Sequence, residues 1–147
     1  MENRFETFTV LLASINRSIR RIKNEEIKKY DLKATHVSCI YFLYKEGHLT
    51  SRELCTLCEE DKANISRTIE YLEQKGLIIC TQQGQKRYRA ALELTEAGAN
   101  IGKFIANKVN EILDLASKGM SDEERRNLYN SLELINRNLL SLCEEYE

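Results

Sequence analysis

The apolar positions at the two ends of the chain keep a helical rhythm. Phe5, Phe8, Leu12, Ile15, Ile19 and Ile22 recur at alternating steps of three and four, which lines them along one stripe of a helix. The spacing predicts one long helix over residues 4–29. Near the other end Leu128, Leu132, Ile135, Leu139 and Leu142 repeat the pattern. Ser121 and Glu124 stand just before it at the spacing of a capping box. Ile101, Ile105, Val109 and Ile112 mark a further helix, begun near Thr95 and broken at Gly119. These three helices carry more apolar seam than they can cover alone. Packing on each other and on a second copy of the chain is the reading, with a purely intramolecular bundle as the alternative.

The middle of the chain has shorter periods. His36 to Lys45, with Val37, Ile40, Leu43 and Tyr44, reads as a helix ending at Gly47. Thr50 and Glu53 form a second capping box ahead of a brief helix over residues 51–59. Asp61 can cap the next helix by accepting from its free first-turn amides, and Gly76 ends it. Leu77-Ile78-Ile79-Cys80 and Arg89 to Leu94 read as two strands, joined by the polar tip Gln82-Gln83-Gly84-Gln85-Lys86. Two helices, a tight turn and a following hairpin are the grammar of a winged helix-turn-helix. The fold expected is therefore mainly α with a small antiparallel β wing, flanked by N- and C-terminal dimerisation helices. Residues 33–95 would form the winged part, and residues 1–32 and 96–147 the helical dimerisation part of a single domain.

That order of elements points to double-stranded DNA. Ile65, Ile69 and Leu72 share one face of the helix after Asp61, which must be its core face. Ala63, Ser66, Arg67, Glu70 and Gln74 then lie opposite, with Lys62 and Asn64 flanking. A recognition helix places its N-terminal residues on base edges. Small Ala63 and Ser66 permit close approach, Asn64 suits adenine, and Arg67 suits guanine or phosphate. Thr50, Ser51 and Arg52 open the preceding helix, where amides and hydroxyls can hold the backbone. Lys86, Arg87 and Arg89 would arm the wing against the minor groove or its phosphates. Strand alternation would set Arg87 and Arg89 on one side and Tyr88 on the other. Taken singly, each basic residue is equally well read as merely solvated.

Composition adjusts this picture little. The chain has 147 residues, 31% charged and 42% hydrophobic, with no proline and six glycines, so few breakers interrupt long helices. The formal net charge is -1, and the signal lies in its distribution. Residues 17–29 and 81–91 are basic, whereas residues 121–147 are acidic. Such asymmetry fits one basic binding surface. No apolar run reaches a membrane span and no signal peptide opens the chain, so a cytoplasmic protein without a membrane partner is expected.

The five cysteines, Cys39, Cys55, Cys58, Cys80 and Cys143, raise a redox or metal reading. Cys55-x-x-Cys58 is the sharpest pattern, but zinc needs about four ligands, and His36 and His48 stand alone. Cysteine also serves as a small core hydrophobe, which is the leading reading; oxidant sensing and metal binding are alternatives. His36 reads as a packing or hydrogen-bonding residue at a helix end. With no Ser-His-Asp order, phosphate-binding glycine loop or paired-acid motif, no catalytic residue, cofactor or metal site is assigned and an enzyme is not expected.

The chain resembles the MarR family of winged helix-turn-helix regulators over essentially its whole length. The matching residues are Leu32, His36, Gly47-His48-Leu49-Thr50, Glu53-Leu54, Asp61-Lys62-Ala63-Asn64-Ile65-Ser66-Arg67, Leu72, Lys75-Gly76-Leu77-Ile78 and Leu94-Thr95-Glu96-Ala97-Gly98. The resemblance implies a homodimer on a pseudo-palindromic operator, acting as a repressor and released by a small ligand or oxidant. It implies an effector crevice where the first helix meets the reader, near Tyr30, His36 and Tyr44, which also gather aromatic and polar groups at a junction. Two positions depart from the family pattern. The wing's usual Asp-x-Arg is replaced, with Gln85 or Lys86 near the acid and Tyr88 at the arginine, so that Arg87 or Arg89 would take over its function. Glu59 occupies a turn position often held by glycine. The alternative function is a winged-helix protein-interaction module without DNA binding.

Overall fold

The computed structural model describes residues 3–81 and 90–146. A π-helical segment, Glu6–Leu11, runs into helix α1, Leu12–Ile27, and a 3-10 turn, Lys28–Tyr30, closes it. There follow α2 (Ala34–Glu46), α3 (Ser51–Cys58), α4 (Lys62–Gln74), strands β1 (Ile78–Cys80) and β2 (Leu92–Leu94), α5 (Glu96–Ala116) and α6 (Asp122–Glu144). The mainly helical fold with a small antiparallel sheet is the one the periodicities predict. The long first helix is present but wound unevenly, a local π-turn that the apolar spacing does not encode.

The chain divides into two compact units, residues 1–107 and 108–147. The first unit thus includes α1, which the sequence reading sets with the dimerisation helices. Its core is built from Val37, Cys39, Ile40 and Leu43 of α2, Leu54 of α3, Ile65, Ile69 and Leu72 of α4, and Leu77, Ile78 and Leu92 at the sheet. All three apolar positions assigned to the inner face of α4 are buried. Thr68 joins them at 3% exposure, because a face wide enough to pack spans more than a single apolar ridge.

β1 and β2 pair antiparallel in the register Ile78↔Leu94, Ile79↔Glu93 and Cys80↔Leu92. Leu49 bridges to the other edge of β2 through two backbone hydrogen bonds with Leu92. The sheet is thereby tied to the segment that enters α3. The strands are shorter than the sequence suggests, and the wing tip, residues 82–89, lies outside the described residues.

The junction between sheet and α5 explains the Leu94-Thr95-Glu96-Ala97-Gly98 motif. The Thr95 hydroxyl donates to the Gly76 carbonyl at 2.7 Å and accepts from the Gly98 amide at 3.1 Å. The Thr95 amide donates to the Leu77 carbonyl at 3.0 Å. Gly98 then lies so close to Leu77 that a Cβ would run into that carbonyl. One threonine and one glycine therefore fix the start of α5 against the end of α4.

In the second unit no residue of α6 is buried. The Ser121 and Glu124 capping box forms as expected: the Ser121 hydroxyl accepts from the Glu124 amide at 3.2 Å, and Glu124 accepts from the Ser121 amide at 2.7 Å. Leu128, Leu132, Leu139 and Leu142 are all exposed, as are Phe5, Phe8, Leu12, Ile15 and Ile22 in the first unit. No helix among the described residues is long and apolar enough to cross a membrane.

Candidate nucleic-acid interface

Three anchors hold α4 in place. Its inner face is buried, as described above. At its N-terminus Asp61 accepts from the Asn64 amide at 2.7 Å, the cap expected from sequence. At its C-terminus the Tyr71 hydroxyl donates to the Asp31 carbonyl at 2.6 Å, and Lys75 pairs with the Asp31 carboxylate at 2.9 Å. Asp31 sits at φ 56° in the left-handed region between α1 and α2. Lys75, with help from the Tyr71 hydroxyl, holds its carboxyl below the usual carboxylate range. This long-range tie could not be read from spacing, because Asp31 and Tyr71 are 40 residues apart.

The turn between α3 and α4 is equally defined. Glu59 takes φ 53° and the Glu60 amide donates to the Cys55 carbonyl at 3.1 Å, the six-to-one closure of a Schellman cap. The backbone keeps the left-handed conformation that favours glycine there. Glutamate thus fits the same turn.

The outward side of α4 presents exposed Lys62, Ala63, Ser66, Arg67 and Glu70. Arg67 makes no ion pair among the described residues. Asn64 behaves differently. It is half-buried, and its amide donates to Glu60 at 2.6 Å. In this conformation it is turned back toward the preceding turn, so reading adenine requires breaking that bond. Lys62 and Ser66 lean toward α3 and the sheet, where they line an open cavity of about 270 Å³ with Ser51, Cys55 and Leu92. Arg67 and Asn64 lean the other way, toward the start of α2.

At the head of α3 the Thr50 hydroxyl accepts from the Glu53 amide at 3.2 Å, while Glu53 accepts from the Thr50 amide at 2.7 Å. That backbone bond holds the Glu53 carboxyl below its ordinary range. Both helix starts are thus capped by carboxylates, which offsets their positive dipole ends. Ser51 is half-buried and Arg52 exposed. Lys86, Arg87 and Arg89 lie outside the described residues.

The three residues expected to form an effector crevice make different contacts. Tyr30 packs edge-on against Phe104 with centroids 5.5 Å apart. Tyr44 lies against Gly102 of α5. His36 instead stacks flat on Tyr71, with centroids 4.4 Å apart and 6° between planes. Its Nδ1 accepts from the Lys33 amide at 3.0 Å. Burial, then the nearby Lys33 ammonium, hold His36 below the ordinary imidazole range, against the pull of Asp31. His36 lines an open cavity of about 500 Å³ with Asp31, Lys33, Arg67 and Tyr71. Tyr30 and Tyr44 do not line it, because both aromatic rings are spent on packing against α5.

The cysteines are also rearranged relative to the sequence pattern. Cys58 has its sulfur contact with Cys39, at 3.8 Å, and not with Cys55. Cys39 is buried, Cys55 and Cys58 half-buried, Cys80 and Cys143 exposed. Among the described residues no group of three or more His, Cys, Asp or Glu side chains could hold a metal ion.

An N-terminal helix, a helix-turn-helix seated on a core, and a two-stranded wing base define a winged-helix protein with flanking helices. Residues 30–87 match the family model described as MarR family. That segment includes the helix-turn-helix, and over it the chain is similar to the MarR family. Among curated proteins it is 23% identical over 131 residues to the HTH-type transcriptional regulator BilQ of Clostridioides difficile (strain CD3), covering 89% of this chain and 88% of that one. Its fold is similar to a MarR protein from Peptoclostridium difficile DA00132, with a TM-score of 0.85 and 16% identity over 100% of this chain and 96% of the other. A MarR-family transcriptional regulator from Listeria monocytogenes, solved with a 26mer DNA, gives a TM-score of 0.82 and 23% identity over 95% and 90% of the two chains.

Proposed function

We propose that this chain is a sequence-specific DNA-binding transcriptional regulator, acting as a homodimer on a pseudo-palindromic operator. The observation that carries the reading is α4, whose small and basic outer residues Ala63, Ser66 and Arg67 are exposed while three separate anchors fix the helix. A rigid helix with an open N-terminal half is what the major groove accepts. Thr50, Ser51, Arg52 and Lys62 would supply backbone contacts beside it, and Lys86, Arg87 and Arg89 would do so from the wing. The similarity in fold to a regulator solved with DNA supports the same reading.

A homodimer is supported by the uncovered seams of α1 and α6, since exposed leucine and phenylalanine in register mark a partner surface. Two readers about 34 Å apart would then meet successive major grooves. Repression is the mode of action proposed, with release by a small ligand. A cavity of about 500 Å³ beside Arg67 and His36 falls in the size range of small-molecule sites. A ligand there would alter DNA affinity through its unequal affinity for the two reader spacings.

The alternative of a protein-interaction module draws on one observation: Glu53 and Asp61 already cap the two helix starts that would face phosphate. Selection from a pool of random duplexes separates the two. A regulator enriches a two-fold symmetric site, and Arg67→Ala loses that enrichment. An interaction module enriches no sequence.

A further inference from the structure

We propose that Cys58 and Cys39 form a redox-active dithiol that hydroperoxides oxidise to a disulfide, with Cys58 as the attacking thiol and Cys39 as the resolving one. Their sulfurs are 3.8 Å apart across α2 and the last residue of α3. Bond formation requires an approach of about 1.8 Å to reach the ~2.05 Å of a disulfide. Cys39 is fully buried at the back of the pair, whereas Cys58 opens onto a cavity of about 390 Å³ lined also by Arg20, Lys23, Ser38 and Glu60. An oxidant entering through this cavity therefore reaches Cys58 before Cys39.

The surroundings favour that order. A hydrogen bond from the Cys39 thiol lowers the Cys58 pKa, and the Lys23 ammonium lowers it further, against burial and the Glu60 carboxylate. The same contact, with burial, pushes the Cys39 thiol far up. The thiolate is the nucleophile in such chemistry, so of the two thiols Cys58 is the readier to ionise and Cys39 the readier to keep its proton. Cys58 then attacks one oxygen of a hydroperoxide. An S–O bond forms, the O–O bond breaks, and the departing alkoxide leaves as an alcohol on taking a proton. Cys58 is now a sulfenic acid. The Cys39 sulfur attacks the Cys58 sulfur, the S–S bond forms, the S–O bond breaks, and hydroxide leaves with the Cys39 proton as water. Two thiols and one hydroperoxide give one disulfide, one alcohol and one water; the sulfurs are oxidised and the peroxide oxygens reduced.

The bond would form at the joint of the helix-turn-helix, since Glu59 and Glu60 follow Cys58 directly into α4. The test uses hydrogen peroxide on the full-length protein and needs no DNA, so it is independent of the function proposed above. Stoichiometric peroxide should remove two hydrogens from the intact mass, and non-reducing peptide mapping should join the Cys39 and Cys58 peptides. Cys39→Ala should halt at a Cys58 sulfenic acid trapped by dimedone, with no cross-link. A cross-link between Cys55 and Cys58 would overturn the proposal. So would oxidation of exposed Cys80 and Cys143 with Cys39 and Cys58 left as thiols. The mapping on unaltered protein decides the matter even if Cys39→Ala fails to fold.

Discussion

Gly98→Ala is the substitution whose cost the fold defines most sharply. On an open helix it would stabilise by about 1 kcal/mol, because alanine is the better helix former. Here the new methyl group would drive into the Leu77 carbonyl, whose carbon lies 2.9 Å from the ideal Cβ position. That carbonyl accepts from the Thr95 amide at 3.0 Å, so it cannot withdraw without straining the bond that starts α5. Overpacking costs about 1–3 kcal/mol, and leaving a buried backbone group poorly bonded costs about 1–3 kcal/mol more. Set against the helix gain of about 1 kcal/mol, the net loss is about 1–5 kcal/mol, centred on about 3 kcal/mol. For a chain of this size that central value lowers Tm by roughly 6–12 °C, measured by circular dichroism at fixed protein concentration. Gly102→Ala is the matched control. Its Cβ would meet the Tyr44 Cβ at 2.8 Å, an atom that a rotamer change does not carry away, and the base of the Tyr44 ring at 2.9 Å. It breaks no backbone hydrogen bond, so its loss should be that of overpacking alone, about 1–3 kcal/mol before the helix gain. A Gly98→Ala protein as stable as the parent would refute the reasoning.

Other consequences can be checked on the same protein. Replacing Ile15 or Leu139 by aspartate should shift the protein to monomer in light scattering and abolish tight DNA binding; an unchanged oligomer would contradict the seam assignment. His36 has a folded-state pKa below its unfolded value, so its unfolded form binds the proton more readily. The stability it contributes is therefore complete above the unfolded pKa of about 6.5 and lost as pH falls through the folded value. His36→Asn should flatten the fall in urea midpoint below neutrality, and an unchanged slope would count against it. Asp31, also depressed, follows the same sign lower on the scale. Asp31→Asn should remove part of the acid sensitivity below about pH 4, read from the same titration.

How far the sequence could be read depended on the range of each interaction. Local signals were legible: the capping boxes at Thr50 and Ser121, the Asp61 cap, the buried stripe Ile65, Ile69 and Leu72, and the strand pair all follow from spacing within a few residues. Contacts between distant residues were not. Nothing in the local pattern joins Asp31 to Tyr71 and Lys75, or Cys39 to Cys58. The Cys55-x-x-Cys58 spacing even drew attention to the wrong partner. Asn64 shows a subtler limit: its place on the helix was foreseen, but its hydrogen bond to Glu60 depends on the α3–α4 turn geometry. The uncovered seams of α1 and α6 were legible as surplus apolar surface, since a thin helix cannot bury that much alone.

The central claim is that α4 and its neighbours bind DNA, and the salt dependence of that binding tests it most directly. Fluorescence anisotropy with the duplex enriched by selection should give log K falling linearly with log salt, by about 0.9 per phosphate neutralised. Replacing Arg52 by alanine should reduce the slope by about one unit with specificity intact, while Arg67→Ala should cost about 1–3 kcal/mol on the selected site and little on random DNA. Binding that shows no salt slope, or Arg67→Ala binding both duplexes as the parent does, would contradict the account.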